Sequence, residues 1–333
     1  MSTASLPLAV SFEAFTNFGF WSGVLVTAGI YAVVTLGLQL NVGFTGIVNF
    51  GQAGFMAVGA YSMAILVLEA GLSFWLALPL AVLITMGFGV LIGLPSLRLR
   101  GDYFAIVTLA MAEVVRLVAQ NARDLTGGNK GLYCEFEGVN QTCFDDSWRS
   151  VSDSMLGFFE NFWSDPEPLL PLLIVIWVTV AIGVVALTHL QGTPWGRVLR
   201  AVREDEDATR ALGKNTLLYK LQSLAISALL GALAGFFLAL FLATIHPDDY
   251  EPIVTFFAFG VLVLGGLANY KGVVVGAVLL WTLLEGTRFV ELPISEEKTA
   301  ALRFAIVGAV LIGLMAFRPQ GLFGKREEMV LGD

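Results

Sequence analysis

Runs of about 20 mostly apolar residues recur along the chain, and that is the length a helix needs to cross the hydrocarbon core of a bilayer. Nine such runs fall at 21–40, 50–69, 74–94, 103–118, 169–190, 221–243, 252–267, 273–284 and 301–317. Several are short or interrupted by glycine, so the pattern predicts eight to ten membrane helices. Composition agrees: 56% of the 333 residues are hydrophobic and 14% are charged, against about 25% charged in soluble domains. So little charge cannot cover a water-exposed surface of this size. The expected fold is an all-α, polytopic transmembrane helical bundle, with residues 1–333 forming one transmembrane domain.

Charge placement predicts an orientation. Residues 191–220 hold six basic side chains, Arg197, Arg200, Arg203, Arg210, Lys214 and Lys220, which the positive-inside rule places in the cytoplasm. The short turns with Arg98 and Arg100 and with Lys271, and the tail with Arg318, Lys325 and Arg326, fall on the same side. Residues 121–168 hold three basic and nine acidic side chains and form an extended outer segment. Alternation through nine spans puts the N-terminus outside and the C-terminus inside; a re-entrant second span would flip everything before it. The N-terminus has no basic region of the kind that opens a signal peptide.

Cys134 and Cys143 lie in the outer segment, nine positions apart. In an oxidising compartment they could close a small disulfide loop; the alternative is two unrelated thiols. With His189 and His246 they match no metal-site spacing. The net charge of −8 argues against a nucleic-acid binder, which would show a basic patch.

Three polar features stand out against the apolar background. Residues 196–213, between Gly196 and Gly213, read as one charged amphipathic cytoplasmic helix. Val198, Leu199, Val202, Ala208, Ala211 and Leu212 give it an apolar stripe, and Arg200–Glu204 and Arg203–Asp207 are i,i+4 pairs. Such a helix could lie on lipid headgroups, but Glu204, Asp205, Glu206 and Asp207 would be repelled by anionic lipid. A docking surface for a cytoplasmic partner is the better reading.

The second feature is residues 41–61, where Gly43, Gly46, Gly51, Gly54 and Gly59 interrupt an apolar run that also holds Asn41, Thr45, Asn49 and Gln52. Irregular backbone at membrane depth is tolerated only inside protein or along a cavity, and transporters place substrate sites at such discontinuous helices. Small-residue helix packing with satisfied amides is the alternative, and both can hold together. The third feature is Glu113 and Arg116, three apart within the fourth run. They read as a structural ion pair or, as the minority reading, part of a translocation path. Asp102, ahead of that run, reads as a helix cap.

The chain has no phosphate-binding GxxxxGK[ST] loop; 125–131 lacks the spacing. Energy for active transport must then come from another subunit or from an ion gradient.

Four blocks carry a resemblance: LNVGFTGIVNFGQAGFMAVGAY from Leu40, LPSLRLRGDYFAIVTLAMAEVVR from Leu94, WGRVLRAVREDEDATRALGKNTLLYKLQSLAISALLGALAG from Trp195 and VLVLGGLANYKGVVVGA from Val261, with RPQGLFG at Arg318. In this order they resemble the LivM-type inner-membrane permease subunits of bacterial ABC importers for branched-chain amino acids. The resemblance implies that 196–213 is the coupling helix that docks into an ATPase, with Glu206, Ala208 and Gly213 in the family's degenerate loop motif. It implies two ATPase subunits that bind ATP and Mg, a second homologous permease of LivH type or a second copy of this chain, and a periplasmic binding protein. No cofactor or catalytic residue is expected in this chain itself. Leucine, isoleucine and valine are the expected substrates; urea, short-chain amides or another amino acid are the alternatives within the family. An ion-gradient-driven secondary carrier is the alternative outside it. The outer segment is longer than the resemblance leads one to expect, which bears on the binding-protein contact and on the substrate.

Overall fold

The computed structural model describes residues 18–97, 101–133, 143–163, 166–287, 296–318 and 320–324. All nine apolar runs form helices. In chain order the helices are α1 (Phe18–Gln39), α2 (Gln52–Leu68), α3 (Phe74–Ser96), α4 (Gly101–Asn121), α5 (Arg123–Thr126), α6 (Asp146–Glu160), α7 (Leu170–Gly192), α8 (Pro194–Glu204), α9 (Glu206–Ala211), α10 (Thr216–Leu242), α11 (Pro252–Gly265), α12 (Tyr270–Gly286) and α13 (Glu296–Phe317). Two short strands, β1 (Leu132–Tyr133) and β2 (Thr244–Ile245), pair antiparallel with Leu132 opposite Ile245. They fasten the outer segment to the end of α10. Residues 134–142 and 164–165 of that segment lie outside the described residues.

A helix that is apolar all round belongs in the interior of a bundle. Of the 18-residue apolar stretch in each helix, 83% is buried in α1 with its π-helical extension and 61% in α10, against 33% in α3 and 28% in α7. α1 and α10 therefore form the centre. α2, α3 and α12 pack on them, and α3 and α7 present Leu83, Leu91, Ile182 and Val185 outward.

Among the described residues, α1, α3, α7 and α10 are long and apolar enough to cross a bilayer alone. Helix rise explains the shortfall of the others. The 14 residues of α11 span about 21 Å and the 17 of α12 about 26 Å, against a core of about 30 Å. These two turn on each other by 116°, and as a bent pair they count as a fifth candidate crossing. The second run is also short: α2 starts at Gln52 and has 17 residues. Asp102 lies within the first turn of α4 rather than ahead of it.

The helix expected over 196–213 is two helices, α8 and α9, with extended backbone at Asp205 (φ −152°, ψ 106°). The Asp205 carboxylate accepts the Ala208 N–H at 2.9 Å, so the residue caps the second helix instead of continuing the first. The break puts Arg203 and Asp207 on different helices, so they are not one-turn neighbours.

Candidate functional site

The junction between α1 and α2 organises the centre of the bundle. α1 runs on as one π-helical turn, Leu40–Thr45, and stops at Gly46 in the left-handed region (φ 75°). A side chain there would be strained, and its Cβ would lie 3.2 Å from Arg203 Cγ. Residues 47–51 then run without helix. Unwound backbone at this depth must find partners inside the protein, and side chains supply them. The N–H groups of Phe50, Gly51 and Ala53 donate to Thr108 Oγ1 (3.0 Å), Asn49 Oδ1 (2.8 Å) and Thr255 Oγ1 (2.9 Å).

A polar seam runs from this junction to α10. The Thr45 and Ser223 hydroxyls are 2.8 Å apart, and Ser223 donates to Asn41 Oδ1 at 2.9 Å. Gln52 Oε1 accepts from Ser227 (3.2 Å) and Asn49 (3.4 Å), while Gln52 Nε2 donates to the Val34 and Ser227 carbonyls. All six side chains of the seam are at most 2% exposed. Asn41 Nδ2 and Gln39 Oε1 are buried without a partner among the described residues.

The structure thus brings Asn41, Thr45, Asn49 and Gln52 together. Gly51 and Gly54 lie beside them against α4: a Cβ on Gly51 would meet the Thr108 carbonyl at 3.1 Å and one on Gly54 would meet Ala112 Cα at 3.0 Å. The space left there is about 10 Å³, room for one water at most. The seam is closed on the α4 side. Sequence reasoning missed Ser223, Ser227, Thr108 and Thr255. The signal for the two serines was their spacing of four in an apolar run, which puts both on one helix face.

Glu113 and Arg116 lie elsewhere, further along α4. Arg116 Nε and Nη2 pair with both Glu113 oxygens (3.0 and 2.5 Å), and Nη1 reaches Asp248 at 2.8 Å. Gln120 donates to the same Asp248 oxygen at 2.9 Å. The cluster ties α4 to the 3₁₀ turn Pro247–Tyr250, consistent with a structural ion pair. Asp248, which the sequence reading did not connect to this pair, completes it.

The charged elbow of α8 and α9 touches the junction directly. Leu199 and Val202 are buried, the Arg203 guanidinium donates to the Gly43 carbonyl, and Arg200 sits 5.5 Å above the Phe44 ring. Phe44 in turn stacks on Tyr270 at 4.9 Å. On α9, Glu206 is held by Lys220, by Arg210 (3.0 Å) and by Thr216 (3.0 Å), while Asp207 pairs with Arg210 at 3.2 Å. Burial pushes the Glu206 carboxyl up, but the Lys220 ammonium, the Thr216 hydroxyl and Arg210 outweigh it and hold the carboxyl below its ordinary value.

The apolar stripe expected over this region divides at the break. Its α8 half packs inward, whereas Ala208, Ala211 and Leu212 are exposed, Leu212 by 80%. Glu204 and Gly213 are exposed as well. The result is an arm with an apolar tip whose base is bonded to the π-helical turn just before the unwound segment.

At the outer segment, Cys143 is buried and its N–H donates to Asp146 at 3.1 Å. Cys134 lies outside the described residues, and so does the expected pairing of the two.

Residues 20–315 match the family model described as branched-chain amino acid transport system, permease component. The chain is similar to the high-affinity branched-chain amino acid transport system permease protein LivM of Salmonella typhimurium. The two are 35% identical over 298 residues, 88% of this chain and 67% of the relative. It is similar to the probable LivM of Methanocaldococcus jannaschii, at 26% over 92% of this chain and 93% of the relative. The LivH permease of Salmonella typhimurium is 25% identical over 91% of this chain and 94% of the relative. No solved structure matches the chain.

Proposed function

The chain belongs to the family of permease components of branched-chain amino acid transport systems, and on that basis we propose that it carries leucine, isoleucine and valine across the bacterial inner membrane. It does so as half of the translocation unit of an ATP-driven ABC importer, by alternating access. A second permease of LivH type or a second copy of this chain forms the other half. Two cytoplasmic ATPases bind ATP and Mg, and a periplasmic protein delivers the amino acid. The basic elbow and the C-terminus face the cytoplasm, and the N-terminus faces the periplasm.

The contact of Arg203 with Gly43 carries this reading. The elbow ends in an exposed apolar tip suited to a protein partner, and its base grips the π-helical turn that ends the central helix. A push on α9 is then transmitted to the junction beside Asn41, Asn49, Gly51, Gln52 and Gly54. Separating α4, which carries Thr108, Ala112, Glu113 and Arg116, from that junction opens the path. An ion-gradient-driven carrier has no subunit for such an arm to meet.

Charge reversal at Asp207, which is 91% exposed, tests the docking. Asp207→Arg should lower uptake and ATP hydrolysis together while binding-protein affinity stays unchanged. Normal coupled uptake in that variant would remove the elbow from the ATPase interface.

A further inference from the structure

A cavity of about 240 Å³ opens where the end of α7, the middle of α8 and the start of α12 meet. This is the end of the bundle that carries the elbow, cytoplasmic by charge placement. Arg200 and Lys271 line the cavity with Thr188 and Gln191, and no carboxylate does. Neither cation is neutralised. The i,i+4 pair expected between Arg200 and Glu204 is not formed; the guanidinium lies over the Phe44 ring instead. Lys271 has no carboxylate partner among the described residues. It also stands in the first turn of α12, the end at which a helix dipole favours anions. The cavity beside Arg123 and Lys130 differs, because Glu69 and Asp124 line it as well.

Two apolar stripes lead to the basic cavity. On α7, Val178, Ile182 and Val185 are exposed along one face that continues to Thr188. On α12, Val275 and Leu279 are exposed at four-residue spacing from Lys271. α7 and α12 pack against each other, and Thr188 and Lys271 line the same cavity, so both stripes end at it. α7 is the least buried of the four full-length spans among the described residues, so its outward face meets lipid.

The two parts define one ligand. Two cations with a hydroxyl and an amide beside them suit a phosphodiester, and basic pockets at the cytoplasmic ends of membrane helices bind anionic head groups. The stripes suit acyl chains. A zwitterionic lipid would bring an ammonium to a cavity that holds two cations and no carboxylate to receive it. Glu206 and Asp207, which an anionic lipid would repel, lie beyond the break at Asp205 and outside the lining.

We propose that the groove between α7 and α12 holds an anionic phospholipid, its phosphate at Arg200 and Lys271 and its acyl chains along the exposed stripes of the two helices. Through Arg200 the lipid fastens the first half of the elbow to the membrane surface. The choice of leaflet rests on the orientation proposed above; the site itself does not.

The test is photolabelling of the assembled transporter in phosphatidylcholine discs doped with a phosphatidylglycerol analogue that carries a diazirine on one acyl chain, followed by peptide mass spectrometry. Label on α7 around Val185 and on α12 around Val275, removed by unlabelled phosphatidylglycerol and not by phosphatidylethanolamine, supports the site. Lys271→Gln should reduce that label about five-fold, the equivalent of about 1 kcal/mol for one basic side chain near a membrane surface, and Lys271→Arg should keep it. Arg200→Gln serves if Lys271→Gln does not assemble. Label that phosphatidylethanolamine removes equally well would make the groove ordinary lipid-facing surface, and removal by inorganic phosphate would assign the cavity to a soluble anion; either result overturns the proposal. So does an absence of label from α7 and α12, which would place a protein on this face. None of these readouts depends on what the transporter carries, so the transport reading stands or falls separately.

Discussion

The guanidinium of Arg203, on the cytoplasmic elbow, donates to the main-chain carbonyl of Gly43, inside the π-helical turn that ends the central helix. The acceptor is a carbonyl in a widened turn, and the donor is a charged group, so the bond belongs to the stronger class, about 1.5–3 kcal/mol. Arg203→Gln shortens the donor and removes its charge. Uptake per ATP hydrolysed should fall about ten-fold or more, because 1.4 kcal/mol is one decade, while ATP hydrolysis continues. Simultaneous measurement of hydrolysis and uptake separates this from simple misfolding; an unchanged ratio removes the bond from the coupling route.

Gly54 faces Ala112 so closely that an added Cβ would lie 3.0 Å from its Cα. Gly54→Leu must wedge α2 from α4. Overpacking of this kind costs about 1–3 kcal/mol, which a bundle of this size should survive. The expected result is a monodisperse assembly with abolished uptake. Unchanged uptake would show that α2 and α4 do not border the path.

Gln52 is the hub of the buried seam, bonded to Asn49, Ser227 and the Val34 carbonyl. Gln52→Leu keeps the volume and strands Ser227 and Asn49. Thermal unfolding in detergent should show a loss of about 1–3 kcal/mol. A variant as stable as the wild type would mean that the seam is not a structural latch.

Glu206 ties α9 to α10 through Lys220 and Thr216. Its folded carboxyl titrates below its ordinary value. The sign follows: the contribution to stability is present above the unfolded value of 4.5 and is lost as pH falls through the lower, folded value. Unfolding midpoints measured down through that range should drop more for the wild type than for Glu206→Gln, which has already lost the charge. Parallel pH profiles would contradict the assignment.

Much of the architecture was legible because lipid imposes one rule, that backbone bonds be satisfied within the segment. Every apolar run became a helix for that reason. The clustering of Asn41, Thr45, Asn49 and Gln52 was also legible, since amides at that depth need one another. Their partners Ser223 and Ser227 come from 182 and 175 residues away, and nothing local announces which face of α10 meets them. The split of the elbow at Asp205 was missed because helical periodicity continues across it, whereas the capping preference of one aspartate decides the outcome. The 116° turn between α11 and α12 depends on backbone contact at Gly265 and Gly272, of which the sequence shows the glycines but not the angle.

The most direct test of the account is uptake by sealed vesicles containing this chain with its co-purifying subunits, offered labelled leucine, isoleucine, valine and urea separately. ATP is supplied either at the face that carries the elbow or at the opposite face. The account predicts uptake of the aliphatic amino acids only with ATP at the elbow face. Uptake that ignores ATP and collapses with the ion gradient would contradict it.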